Sequence, residues 1–158
     1  MSDWSSDVCS SDLEYAKGYL TIQKMRYKDK LEFEIDVEPS ILNIPLIKLV
    51  LQPIIENAIY HGLKYKESKG LLQVKGFMKD GNAVLQVIDN GVGMDEETLS
   101  HIYDKHKVNY HSNGVGVYNV QKRLKLYYGE NYGITYESEK GVGTTATITI
   151  PGIQEESI

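Results

Sequence analysis

The stretch Val87–Asp95 reads VIDNGVGMD, an apolar run that ends in Asp89 and is followed by Gly91 and Gly93. An acid followed by Asn-Gly at the end of a strand is an ordinary turn signal. The same residues also suit ligand binding, in which the Asp89 carboxylate accepts a hydrogen bond from an exocyclic amine. The two glycines lack a Cβ, so a flat base can approach their backbone closely. These residues leave both interpretations open, and the surrounding sequence has to decide between them.

Upstream, the segment 44–65 is apolar over most of its surface and predicts a largely buried helix, with Pro45 in its first turn and Pro53 bending it. Asn57, His61 and Lys64 fall at i, i+4 and i+7, so they share one helix face. An Asn in so apolar a helix is either a hydrogen-bonded structural residue or an oxygen ligand for a hard cation, with its neighbours on phosphates.

Two glycine pairs follow downstream. Gly114 and Gly116 precede an amphipathic helix, whose free N–H groups favour phosphate, although a flexible hinge has the same pattern. Gly141 and Gly143 precede a strand that opens with a pair of threonines, which by itself is typical of a simple turn.

Composition narrows the class of protein. The chain has 158 residues, 41% apolar and 25% charged, with a net charge of -5, which indicates one soluble globular domain. It has no strongly basic block, so nothing indicates a nucleic-acid partner, and no apolar stretch long enough for a membrane segment. Any anionic ligand must be held by backbone N–H groups, a helix N-terminus or a metal.

The element order α-β-α-β-β-loop-α-β-β predicts an α+β fold, a two-layer α/β sandwich in which a mixed sheet carries about three helices on one face. Residues 1–12 repeat Ser-Ser-Asp and are predicted to be disordered or foreign to the native gene. Residues 13–151 form the domain, and residues 152–158 are a C-terminal tail. Residues from about 95 to 113 are polar and aperiodic, which predicts a mobile lid.

The order of these motifs resembles the N, G1, G2 and G3 boxes of the GHKL superfamily, which includes gyrase, Hsp90, histidine kinases and MutL. Within it, LQPIIENAIYHG, DNGVGM and GVGVYNVQKRLKLYYG are similar to the ATP-binding catalytic domain (HATPase_c) of LytS/YesM-type sensor histidine kinases. The resemblance implies the Bergerat fold of that superfamily, with ATP and Mg²⁺ as cofactors.

The resemblance also implies a role for individual residues. Asn57 is the expected Mg²⁺ ligand, Asp89 the expected acid on the adenine, and Glu56 a possible polariser of the attacking nucleophile. The other residues expected to contact the nucleotide are His61, Lys64, Gly91, Gly93, Gly114, Gly116 and Thr145. Asn119 and Arg123 recur in the family's G2 helix without a role that the resemblance supplies.

Two departures qualify this resemblance. Pro53 stands where gyrase-like members carry the acid that activates water, which argues against efficient ATP hydrolysis. Tyr60 stands where many histidine kinases have a Lys, so that one phosphate contact is lost or moved to Lys64.

None of the four histidines, His61, His101, His106 and His111, has the setting of the family's phosphoacceptor. The spacing of the last three is not a metal-ligand pattern. The resemblance therefore implies a catalytic piece that acts on the phosphoacceptor dimerisation domain of a longer parent kinase. That parent is expected to be a membrane-bound sensor whose cytoplasmic portion includes this domain, with a response regulator downstream. A GHKL ATPase and a non-catalytic nucleotide-sensing module are the alternatives.

Overall fold

The computed structural model describes residues 7–64, 66–102 and 114–153. Its helices are α1 (Cys9–Tyr27), α2 (Leu51–Asn57, continued by a π-helical segment, Ala58–Leu63), α3 (Glu96–Ser100) and α4 (Gly114–Tyr128). Its strands are β1 (Asp7–Val8), β2 (Leu31–Val37), β3 (Pro45–Leu46), β4 (Gly70–Lys79), β5 (Asn82–Asp89), β6 (Gly133–Glu139) and β7 (Gly143–Pro151). Short 3₁₀ turns occupy Lys28–Lys30 and Pro39–Ile41.

Five strands form one mixed sheet in the order β2-β4-β5-β7-β6, and β1 pairs separately with β3. Strands β2 and β4 are parallel, and α2 lies on the connection between them, whereas the remaining neighbours in the sheet are antiparallel. Asp80 and Gly81 join β4 to β5, and both have positive φ, as a two-residue type I′ hairpin requires. The pairing aligns Asp89, the last residue of β5, with Leu72 on one side and Thr144 on the other.

The alternation of side chains gives the sheet two unlike faces. On β5 and β7 the buried face carries Leu85, Val87, Ala146 and Ile148, which belong to the main hydrophobic core. The opposite face of β7 carries threonines, which are only partly buried. The covered face packs against α1, α2 and α4, so the predicted two-layer α/β sandwich with helices on one face is confirmed.

The helix that carries Asn57 starts later than the sequence indicates. Pro45 lies in β3 rather than in a first helical turn, and α2 begins at Leu51. Pro53 therefore stands in the first turn, where its missing N–H has no intrahelical acceptor to lose, and the expectation that it bends the helix is wrong.

Helix α4 is fastened to the turn that precedes α2. Arg123 donates hydrogen bonds from its two terminal nitrogens to the carbonyls of Lys48, at 2.8 Å, and Leu49, at 3.0 Å. Leu49 has a φ of +59°, a conformation that costs free energy for a branched side chain and needs such support. Arg123, without a role at the sequence level, thus holds the turn that sets where α2 begins.

Residues 7–12, expected to be disordered or foreign, are ordered in this structure. Cys9 opens α1 and is fully buried, and the Asp12 carboxylate accepts hydrogen bonds from the backbone N–H groups of Leu49 and Leu51, both at 2.8 Å. The expectation of disorder is wrong for this segment because these contacts give it tertiary partners that its composition does not reveal. Among the described residues, no helix is both long enough and apolar enough to cross a membrane.

Candidate functional site

A small cleft lies between α2 with its π-helical extension and the ends of β5 and β7. Its volume is about 20 Å³, enough for roughly one water molecule and too little for a purine base. It is lined by Ile54, Asn57, Ala58, His61, Gly62, Val87, Asp89, Gly93, Met94, Tyr136, Thr144 and Ala146. Because side chains fill most of the space, a flat ligand can enter this cleft only if it opens.

Two of the buried polar residues converge on this cleft. Among the described residues, Asp12, Asn57 and Asp89 are the polar or charged side chains that are buried, each 5% exposed. Asp12 caps the backbone ahead of α2, whereas Asn57 and Asp89 line the cleft from its two layers. Burying polar groups is costly unless they are paired, so this convergence marks the cleft as the candidate site.

Asp89 enters the cleft because it has the same parity on β5 as the core residues Leu85 and Val87. Its Oδ1 accepts a hydrogen bond of 2.8 Å from the Gly91 N–H. Burial raises the pKa of the Asp89 carboxyl to about 6, although hydrogen bonds from the Gly91 and Thr144 backbone and the charge of Lys66 act in the opposite direction. At neutral pH it is an ionised acceptor, held in a place where ionisation is costly.

The glycines that follow Asp89 are required by the protein's own backbone. A Cβ on Gly91 would collide with the backbone of Gly62, whose carbonyl accepts a hydrogen bond of 3.0 Å from the Val92 N–H. Gly93 has a φ of +70°, and a Cβ there would collide with the Glu139 carbonyl. The expectation that both glycines serve a base is therefore corrected: Gly91 lies outside the cleft lining, and only Gly93 lines it.

Asn57 and His61 lie one turn apart and both line the cleft. Among the described residues, the Asn57 amide has no hydrogen-bond partner, so the structural interpretation of a satisfied Asn lacks support and its oxygen is available to a ligand. Burial lowers the pKa of His61, and the charge of Lys64 lowers it further. His61 is therefore a neutral imidazole at neutral pH, able to donate or accept without adding charge.

Lys64 does not join this pair. From Ala58 the helix is π-helical, and the Lys64 N–H donates to the Ile59 carbonyl, five residues back, at 2.8 Å. The wider turn rotates Lys64 away from the face it would occupy in an α-helix, and its ammonium lies 4.4 Å from the centre of the Tyr60 ring. Lys64 lines a separate hollow, with Tyr27 and Leu63 among others, so its predicted place beside Asn57 and His61 is wrong.

Glu56 also faces away from the cleft. Its carboxylate accepts a hydrogen bond of 3.1 Å from the Gln52 amide, one turn earlier on α2. Its charge contributes, after burial, to raising the pKa of Tyr19 on α1 to about 12. Consecutive helical residues point in different directions, so the neighbour of Asn57 in sequence is not its neighbour in the site.

Thr145, expected near the adenine, lies on the wrong face of β7. Thr144 is aligned with Asp89 in the sheet and lines the cleft, whereas Thr145 is aligned with Ile88 and faces the uncovered side. Alternation along GTTATITIP already carries this signal, because Thr144 shares its parity with Ala146, Ile148 and Ile150. The sequence analysis also missed Gly62, Met94 and Tyr136 as lining residues, for which the sequence offers no comparable signal.

The N-terminus of α4 approaches α2 one turn before Asn57. A Cβ added to Gly116 would lie 3.2 Å from the Pro53 Cβ, so the small residue suits this helix contact. Gly114 is the first residue of α4, and the first N–H groups of a helix have no intrahelical acceptor, which makes this end suited to anions. His101, at the end of α3, is not among the cleft-lining residues. Of the predicted lid, residues 95–102 include α3, whereas residues 103–113, with His106 and His111, lie outside the described residues.

A cleft between a helix layer and a mixed sheet, with a buried acid at a strand end and a buried Asn facing it, defines a class of nucleotide-binding fold. Residues 43–154 match the family described as "Histidine kinase-, DNA gyrase B-, and HSP90-like ATPase". The chain belongs to this HATPase_c family.

Sensor histidine kinases are among its relatives. The chain is 31% identical over 140 residues to sensor histidine kinase YesM of Bacillus subtilis, covering 89% of this chain and 23% of that protein. It is 34% identical over 122 residues to sensor protein LytS of Oceanobacillus iheyensis, covering 76% of this chain and 21% of that protein. The chain thus spans less than a quarter of the length of either relative.

Solved structures show the same fold. The catalytic domain of histidine kinase ThkA, in a nucleotide-free form, superposes with a TM-score of 0.72 at 13% identity, covering 96% of this chain and 97% of that one. The mycobacterial sensor histidine kinase MprB gives 0.64 at 19% identity, covering 88% and 93%. The homology to histidine kinase catalytic domains therefore has both a sequence and a structural basis, and it implies use of ATP.

Proposed function

We propose that this chain is the ATP-binding catalytic domain of a two-component sensor histidine kinase, and that it transfers the γ-phosphate of ATP to a histidine of a separate phosphoacceptor domain. The observation that supports this most is the convergence of Asn57 and Asp89, both buried and polar, on one cleft of a fold that sensor kinases share. The phosphoacceptor dimerisation domain, the response regulator and a membrane-bound parent are proposed partners and context.

The residues of the cleft fit the two halves of Mg-ATP. Asp89 is an acceptor for an exocyclic amine, and Gly93 and Thr144 border the same space. Asn57 supplies a neutral oxygen of the kind that Mg²⁺ accepts, and it has no competing partner among the described residues. His61 and the N-terminus of α4, with Gly114 and Gly116, are the groups proposed to bind phosphate oxygens.

Bound Mg²⁺ would neutralise the phosphate charge that builds up during transfer. The protein's own part is to orient the nucleotide: Asp89 holds one end, Asn57 and His61 the other, and the covered sheet face keeps water away from the base. Because the cleft has only about 20 Å³, the base enters as Met94, Tyr136 and the neighbouring backbone move apart.

The residues of α2 around Asn57 favour transfer to an imidazole over hydrolysis. Pro53 occupies the position of the water-activating acid in gyrase-like members and packs toward Gly116. Glu56 is held by Gln52 on another side of α2. A carboxylate that activates water is therefore not found near Asn57 on α2.

The test is to mix the purified chain with the phosphoacceptor domain of its parent kinase, Mg²⁺ and γ-labelled ATP, and to quench at alkaline pH. Acid-labile label on the acceptor, absent with Asp89→Ala, supports the proposal. Steady phosphate release without labelled acceptor would indicate a GHKL ATPase instead. ATP binding with neither reaction would indicate a nucleotide-sensing module.

A further inference from the structure

The hydroxyl of Ser138, on β6, lies beside the cleft without lining it. Its Oγ accepts a hydrogen bond of 2.8 Å from the Met94 N–H and donates one of 3.1 Å to the Gly143 carbonyl. A third contact joins it to the Thr144 Oγ1 at 2.7 Å, where either oxygen can be the donor. The serine thus ties together the loop after Asp89, the start of β7 and the threonine that faces the cleft.

The number of protons available fixes the direction of the hydrogen bond between Ser138 and Thr144. A serine hydroxyl has one proton to donate and two lone pairs to accept with. The Met94 N–H can only donate and the Gly143 carbonyl can only accept, so all three bonds form together only when Thr144 donates its own proton to Ser138. In this arrangement the Thr144 oxygen can only accept a hydrogen bond from a ligand in the cleft.

We propose that Ser138 is a specificity-determining positioning residue: by accepting the Thr144 hydroxyl proton it makes Thr144 an acceptor, like the Asp89 carboxylate, so the cleft selects an amino group over a carbonyl on the bound base. This inference rests on the proposed function, because it needs a purine nucleotide in the cleft. Adenine and hypoxanthine are the two bases it separates, since they differ at this position in an amine against an oxygen.

The experiment compares ATP with ITP by calorimetry, each with Mg²⁺, on the parent chain, Ser138→Ala and Ser138→Thr. In Ser138→Ala the Thr144 proton is freed and can be donated to a carbonyl. We expect the ATP-to-ITP affinity ratio to fall by about five- to tenfold, the size of one hydrogen-bond mismatch. Ser138→Thr keeps a hydroxyl on a β-branched side chain that suits a strand, and should keep the parent ratio.

If Ser138 had only a structural role, Ser138→Ala would weaken the binding of ATP and ITP by the same factor. An unchanged ratio of the two affinities in Ser138→Ala would therefore overturn the proposal. Circular dichroism and thermal unfolding check that each variant folds. If Ser138→Ala does not fold, Thr144→Val takes its place: it keeps the shape of the side chain, removes the hydroxyl and should lower the same ratio.

The two proposals fail in different ways. A parent chain that binds neither nucleotide overturns the nucleotide site and this inference with it. A parent chain that binds ATP, prefers it to ITP and keeps that preference in both Ser138→Ala and Thr144→Val leaves the proposed function standing and removes the role of Ser138.

Discussion

Two hollows meet at the ends of β5 and β7, on opposite faces of the sheet. The one on the uncovered face has a volume of about 470 Å³ and is bordered by Gln73, Glu137 and Thr145 among others. The cleft on the covered face has about 20 Å³ and contains Asn57 and Asp89, each only 5% exposed. Volume favours the first hollow, whereas the cost of burying polar groups favours the second.

The site is marked by polar groups whose burial costs free energy rather than by open space. Partly exposed polar side chains such as Gln73, whose amide donates a hydrogen bond of 3.0 Å to the Glu34 carboxylate, do not need a ligand. A carboxyl whose pKa burial has raised to about 6 reports a free-energy cost that a ligand can relieve. Asp89 and Thr144 border both hollows, so the exchanges of Gln73 and Thr145, which border only the larger one, separate the two.

The largest effect is expected from Asp89→Ala. Loss of a charged hydrogen bond of roughly 1.5–3 kcal/mol should weaken ATP by about ten- to a hundredfold, as measured by calorimetry. Gln73→Ala, on the rim of the larger hollow, is the matched control and should leave the affinity unchanged. Equal ATP affinity in Asp89→Ala and the parent would show that the nucleotide does not bind in the cleft.

The next effect is on stability without nucleotide. Because the folded-state pKa of Asp89 is raised, the stability this group contributes is present below about pH 4 and is lost as pH rises through about 6. Asp89→Asn cannot ionise, so it should be more stable than the parent at pH 8 by on the order of 2–3 kcal/mol, and by about half as much at pH 5.

Denaturant unfolding of both chains across this pH range measures that difference. Both chains contain Asp12 and His61, whose titrations cancel in the comparison. A gap between the two unfolding free energies that does not change with pH would show that Asp89 titrates as an ordinary exposed acid.

A third effect concerns the cation. Asn57→Ala should reduce the gain in ATP affinity that Mg²⁺ brings by roughly tenfold, while binding of metal-free ATP changes little. Glu56→Gln is the neighbouring control, since Glu56 points toward Gln52 rather than into the cleft. An equal loss with and without Mg²⁺ in Asn57→Ala would make the residue a structural one.

The sequence was sufficient for the fold because its signals are periodic. The predicted order α-β-α-β-β-loop-α-β-β matches the order of α1, β2, α2, β4, β5, α4, β6 and β7 in the structure. The sequence was insufficient for residues 7–12, because the burial of Cys9 and the bonds from Asp12 are tertiary contacts that composition does not encode.

At the site, Asn57, His61 and Asp89 line one cleft, whereas Lys64 and Glu56 do not. The position predicted for Lys64 requires an α-helical spacing, whereas Ala58–Leu63 form a π-helical segment, and a π-turn has no reliable signature in residue order. Thr145 is different: alternation along β7 places it on the face opposite Thr144, so the sequence itself contains the signal that excludes it. The reason for Gly91 was also wrong, because its partner is Gly62, a contact between distant parts of the chain.

The smallest effect is expected from a pair of adjacent residues on β7, Thr144 and Thr145, of which only Thr144 lines the cleft. Thr145→Val should leave ATP affinity within about twofold of the parent, because Thr145 faces the uncovered side of β7. Thr144→Val should weaken ATP by about three- to tenfold, since it removes one neutral hydrogen bond in the cleft. Both exchanges keep a β-branched side chain of the same shape, so neither should disturb the strand. The pair is measured by calorimetry with Mg²⁺ present, and thermal unfolding verifies that both variants fold. A Thr145→Val variant that loses more affinity than Thr144→Val would place the adenine on the uncovered face, and would overturn the assignment of the cleft that Asp89 and Asn57 share.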